Sequence, residues 1–210
     1  MDFLSIDVFL IIFIGMGPIK ALLAYLAMTQ EVSTELQRKV ARKAVFTATI
    51  VGILLLLAGA LFMRILHFSR GALTVAGGLI LLLLALNIVL SPAKKEEHEA
   101  APSEAALMSS AIYPLAIPLL LNPIGIVGLT VFSAESQTLL DLAVILGMLL
   151  VVAAFDYGVF VVAHRLDKYL THERILVLEK LLGIMLAALA VQLILNGLAD
   201  AGVLTLSGAH

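Results

Sequence analysis

Two ionisable side chains, Lys20 and Asp156, stand inside strongly apolar stretches, and two proline motifs accompany them. Lys20 ends the run Gly17-Pro18-Ile19-Lys20 within "FIGMGPIKAL" (13–22). A second run, Asn122-Pro123-Ile124-Gly125, lies in "LLLNPIGIVG" (119–128), and Asp156 lies in "VVAAFDYGVF" (151–160). A charge in a hydrocarbon setting is costly, so it faces protein or a watery path. Being opposite in sign, Lys20 and Asp156 suit a pair that makes and breaks, carrying a proton or gating access. The structural alternatives are a fixed ion pair, or a Lys20 that reaches to an interface. Each proline motif reads as a cap residue followed by proline at the first helical position. A half-helix then starts there, its positive end and unpaired N–H groups suited to a carboxylate or another anion. Gly125 and Gly128 admit close approach of a ligand or a neighbouring helix. A proline kink that only shapes packing is the plainer alternative.

Other polar residues carry less. Asn87, Gln192 and Asn196 sit where amides commonly join helices rather than bind ligands. His67, His164 and His172 have no metal-ligand spacing, so no metal site is expected. There is no phosphate loop and no nucleophile–base set, which points away from an enzyme, and no cofactor is expected.

These residues must be positioned by apolar helices. The chain of 210 residues is 62% hydrophobic and 13% charged, against about 25% charged in average globular domains. Its mean hydropathy is +1.12. Such a chain is an integral membrane protein with the lipid bilayer as its partner. With no cysteine, disulfide scaffolds and thiolate sites are excluded, and a net charge of −2 argues against nucleic acid. "MDFLSID" carries acids where a cleavable signal has Lys or Arg, so the first apolar span is expected to remain.

A hydrocarbon core of about 30 Å needs about 20 apolar residues per helix. Six stretches meet this, at roughly 7–27, 44–66, 71–90, 110–132, 142–163 and 178–198. Polar connectors follow the first span ("TQEVSTELQRKVARK"), the third ("SPAKKEEHEAAPSEA") and the fifth ("HRLDKYLTHERI"). With their helix edges these hold Arg38, Lys39, Arg42, Lys43, Lys94, Lys95, Arg165, Lys168, Arg174 and Lys180. The opposite side holds Arg64 and Arg70, and that bias places the three connectors in the cytoplasm and both termini outside it.

Shifting the chain over itself by 105 residues sets Pro18-Ile19 on Pro123-Ile124, Gly78 on Gly183, Ala85 on Ala190 and Asn87 on Gln192. Three spans per half is odd, so the second half enters the membrane from the other side. The expected fold is all-α: six transmembrane helices as two inverted three-helix repeats (1–92 and 109–210, linker 93–108), the first and fourth helices broken. In transporters of that architecture, interrupted helices meet near the midplane and hold substrate.

The chain resembles the MarC family of six-span membrane proteins, through "GPIKALLAYLAMTQE", "ALTVAGGLILLLLALNIVL", "IYPLAIPLLLNPIGIVGLTVFSAES" and "LEKLLGIMLAALAVQLILNGL" in that order. The resemblance implies an inner-membrane protein of bacteria or archaea, and for some members transport of glycine or alanine. It also exposes departures. The family's first motif usually reads Asn-Pro-Ile-Gly, where this chain has Gly17 and Lys20; its second commonly reads Gly-Pro-Gly, where this chain has Asn122 to Gly125. The expected function is a secondary transporter for a small neutral solute such as alanine or glycine, with proton linkage open. Its substrate-binding set is Gly17, Pro18, Lys20, Asn122, Pro123, Gly125 and Asp156. The alternative is a non-transporting membrane scaffold, and self-association is open in either case.

Overall fold

The computed structural model describes residues 6–29, 32–90, 103–163 and 172–204. Helices α1 (Ile6–Gly15) and α2 (Pro18–Thr29) are followed by α3 (Thr34–Leu66) and α4 (Arg70–Leu90). Then come the short α5 (Glu104–Ser110), an irregular π-wound segment (Ala111–Leu120), α6 (Pro123–Glu135), α7 (Leu139–Ala163) and α8 (His172–Asp200). Among the described residues there is no strand.

Helices α3, α4 and α7 and the Gly183–Asp200 part of α8 are each long and apolar enough to cross a membrane. The segment Glu104–Leu120 with Pro123–Glu135, bent by 69°, makes a fifth candidate. The expected first span, 7–27, is divided into helices of 10 and 12 residues. At 1.5 Å per residue neither crosses about 30 Å alone. Leu83, Phe46 and Leu57 are 62–69% exposed, as a bilayer-facing girdle requires.

Helix α3 starts ten residues before the expected span, because 34–43 continue it rather than forming a connector. Ser33 caps the helix by accepting from the Leu36 N–H, and Glu35 sits in its first turn. Nothing before Ala44 breaks the helix, so its polar start projects beyond the apolar part. Most of the proposed 93–108 linker lies outside the described residues, but Glu104–Ser110 already forms α5, capped by Ser103.

Helices α4 and α8 form a close antiparallel pair through small residues. A Cβ on Gly78 would stand 2.9 Å from the Ala190 carbonyl oxygen, and one on Gly183 would stand 3.4 Å from the Ala85 carbonyl oxygen. Gly71 and Gly197 make a further backbone-to-backbone approach in the same pair. Without a hydrophobic force between helices in lipid, such small-residue seams are what hold them. The larger core joins α1, α2, α3, the π segment, α6 and α7, around residues such as Ile12, Tyr25, Leu56, Leu115, Leu129, Leu149 and Phe160.

Candidate functional site

The two proline motifs meet. Helix α1 ends at Gly15 and α2 begins at Pro18; the π segment ends at Leu120 and α6 begins at Pro123. The breaks lie where the motifs place them, and the two elements cross. Helix α1 packs on α6 while α2 packs on the π segment. At the crossing the backbones touch: a Cβ on Gly15 would lie 2.4 Å from the Gly125 Cα, and one on Gly125 would lie 2.5 Å from the Gly15 carbonyl oxygen. No solute fits between Gly15 and Gly125. The closeness that Gly125 allows is used by a neighbouring helix, as is that of Gly128, which faces Ile11.

Asn122 ties the crossing. It is 1% exposed; its backbone N–H donates to the Gly15 carbonyl at 2.9 Å, and its Nδ2 donates to the Ile14 carbonyl at 2.7 Å. These are carbonyls that the end of α1 leaves without an intrahelical partner. Its Oδ1 accepts from the N–H groups of Ile124 at 2.8 Å and Gly125 at 3.4 Å, while its own carbonyl accepts from Ile126 at 3.0 Å. Pro123 has no N–H to satisfy. All the donors at the start of α6 are therefore taken, and the expected open, anion-ready end is closed there by its own cap.

The first break differs. Gly17 heads α2 and has no side chain to cap it; a Cβ there would stand 2.4 Å from the Phe13 carbonyl oxygen. Pro18 is buried at the first position of α2. Lys20 falls in the first turn of α2, and its side chain lies outside the described residues, as does the expected Lys20–Asp156 pairing.

Asp156 is fully buried on α7, along the face formed by Leu149, Val152, Phe160 and Ala163. Phe155 touches Phe13 of α1, with ring centroids 5.6 Å apart, and Phe160 stacks on Tyr25 of α2 at 4.9 Å. Along α7, Asp156 lies between a contact to α1 and a contact to α2. Among the described residues neither of its carboxyl oxygens has a hydrogen-bond partner. A buried carboxyl of this kind calls for a partner that the described side chains do not supply.

Below this, the α2–α3 turn is locked. The Tyr25 hydroxyl donates to the Gln37 carbonyl at 3.0 Å, Gln37 Nε2 donates to the Thr29 carbonyl at 2.8 Å, and the Thr29 hydroxyl donates to the Tyr25 carbonyl at 2.7 Å. On the other side, Arg70 at the start of α4 pairs with Glu135 at the end of α6. Among the described residues no group of three His, Cys, Asp or Glu side chains could hold a metal ion.

Sequence reasoning missed three parts of this site. Gly15, the true contact residue of the first break, stands beside Gly17-Pro18, whose signal is stronger. The Tyr25–Gln37–Thr29 lock has no motif. The π segment did leave a signal, Pro114 and Pro118 four residues apart, which ordinary helix cannot accommodate. There Tyr113 and Ile117 take extended dihedrals, and both Tyr113–Pro114 and Ile117–Pro118 are cis.

The comparison with known families rests on the same segments. A family model described as the MarC family integral membrane protein matches residues 3–201. The chain belongs to the MarC family. It is a multi-pass integral membrane protein on that ground and on its helices. It is similar to a UPF0056 membrane protein of Aquifex aeolicus, 29% identical over 197 residues, covering 93% of this chain and 92% of the relative. It is also similar to a UPF0056 membrane protein of Archaeoglobus fulgidus, 26% identical over 198 residues and 91% of both chains. A UPF0056 membrane protein of Methanocaldococcus jannaschii is 27% identical over 191 residues, covering 90% of this chain and 93% of that one. No solved structure matches.

Proposed function

We propose that this MarC family protein is a secondary transporter, not an enzyme, for a small neutral solute, with alanine and glycine the first candidates. The observation that carries the reading is Asp156: a fully buried carboxyl, without a hydrogen-bond partner among the described residues, on a helix that packs against both halves of the broken first span. In the proposed site a zwitterionic solute sets its ammonium on Asp156 and its carboxylate toward the uncapped start of α2, beside Gly17 and Pro18. The site lies on the α2–α7 side of the crossing, since Gly15 and Gly125 fill the crossing itself. Asn122, Pro123 and Gly125 then hold the second break in place while the first receives the solute, and Lys20 is the nearest charge in sequence to that break.

Reciprocal contacts support the inverted-repeat architecture beneath this reading. Gly78 meets Ala190 as Gly183 meets Ala85, and Gly78 meets Ile194 as Gly183 meets Val89. Under the offset of 105 residues each contact is the image of the other. Counting α1 with α2 as one interrupted span gives six crossings, with the basic connectors in the cytoplasm of a bacterial or archaeal cell and both termini outside.

The decisive test is flux. Purified protein in liposomes should exchange labelled alanine or glycine, and Asp156→Asn should abolish exchange while the protein stays folded and inserted. Undiminished exchange by the variant would remove Asp156 from the mechanism. One observation favours a second reading, a non-transporting scaffold: Asn122 spends its cap and its donors within the protein. No flux of any small neutral solute by the wild-type protein, with or without a proton gradient, would establish it.

A further inference from the structure

Helices α3 and α7 do not close against each other along their whole length. Toward the polar start of α3 they part to leave a groove of ≈370 Å³. Its walls are apolar: Val45 and Phe46 on one side, Ala153 and Ala154 on the other. Thr49 also lines it, but its hydroxyl donates to the Val45 carbonyl at 2.7 Å and offers the groove no free donor. The groove opens sideways, past Phe46 and Tyr157, which are 64% and 38% exposed.

Its other polar side chains are Arg42 and Tyr157. Arg42 sits where the polar stretch 34–43 of α3 gives way to the apolar stretch from Ala44. A change from polar to apolar residues along a helix suits the level at which arginine and tyrosine anchor membrane helices. Lys39, one turn earlier, is engaged by Glu35 and Glu104, each at 3.4 Å. Arg42 has no acidic partner among the described residues.

We propose that this groove binds one glycerophospholipid, its phosphodiester on Arg42 and one acyl chain laid along Phe46 and the two alanines. The charge and the apolar run match the two parts of such a molecule in order. Guanidinium binds a phosphate oxygen pair through two parallel N–H donors, and Tyr157 lines the same groove. Ala153 and Ala154 provide the width a chain needs. A polar solute has no counterpart for its groups in the apolar floor.

The test is native mass spectrometry of the full chain released from micelles containing dioleoylphosphatidylglycerol, comparing wild type with Arg42→Gln and Ala154→Phe. The wild-type protein should retain one lipid per chain. Arg42→Gln should weaken retention about fivefold, the worth of one interfacial cation. Ala154→Phe should fill the groove and lower retention at least as much, with helicity and melting temperature unchanged for both variants. Equal retention by all three proteins overturns the proposal. So does a loss in one variant alone, which would mean a headgroup on surface charge without the groove, or a chain without its phosphate. A change of oligomeric state in Ala154→Phe with lipid retention intact overturns it as well, and assigns the groove to a second copy of the chain.

Discussion

The two helix breaks are built from related motifs and are finished differently. At the second, Asn122 caps α6 and reaches across to the end of α1, so one residue satisfies both broken ends. At the first, Gly17 supplies no side chain, and the neighbouring space is occupied by the Phe13 carbonyl. The second break is fastened by a side chain, and the first has none to fasten it. A repeated motif therefore need not repeat a role: one copy can stabilise the geometry that the other exposes.

Substitutions that invert this division of labour should break or sharpen it. The largest effect is expected from Gly15→Ala, because the new methyl meets the Gly125 backbone, which cannot rotate away. It should cost about 3 kcal/mol, read by reversible unfolding in micelles; an unchanged midpoint would mean the backbones do not touch. Next is Asn122→Ala, which removes the cap of α6 and the bond to Ile14 together, for about 2–3 kcal/mol. Asn122→Asp should keep the cap but lose the donation to Ile14, and so fall between the two proteins.

Gly17→Asn would give the first break the cap residue that the second break has in Asn122. It should nonetheless lose about 1–2 kcal/mol, since its Cβ points at the Phe13 carbonyl; a gain in the same unfolding assay would show that the first break can be fastened like the second. The smallest effect belongs to the periphery. Arg70→Gln should cost about 1 kcal/mol or less, as half-exposed ion pairs do, and a double-mutant cycle with Glu135→Gln should recover most of it.

Much of this division could be read from the chain. Pro18 and Pro123 mark both breaks because proline cannot continue a helix, and Asn122 marks a cap because its side chain mimics the missing acceptor. What could not be read is the partner of each local signal. Nothing near Asn122 names Ile14, 108 residues away, as its acceptor. Charges at 34–43 look alike in a loop and on a projecting helix, so the length of α3 was hidden. Asp156 announces burial by its apolar setting, but its lack of a hydrogen-bond partner is a property of the packed bundle.

The bond between Asn122 and Ile14 also orders events during synthesis. The end of α1 leaves the ribosome long before Asn122 does, and at roughly 5–20 residues per second the gap of 108 residues lasts about 5–20 s. Throughout that interval the carbonyls of Ile14 and Gly15 have no Asn122 to receive. The opening segment must wait in a provisional pose, beside the insertion machinery or bound by water at the interface, until the second half arrives. The beginning of this chain is therefore among the last parts of it to settle.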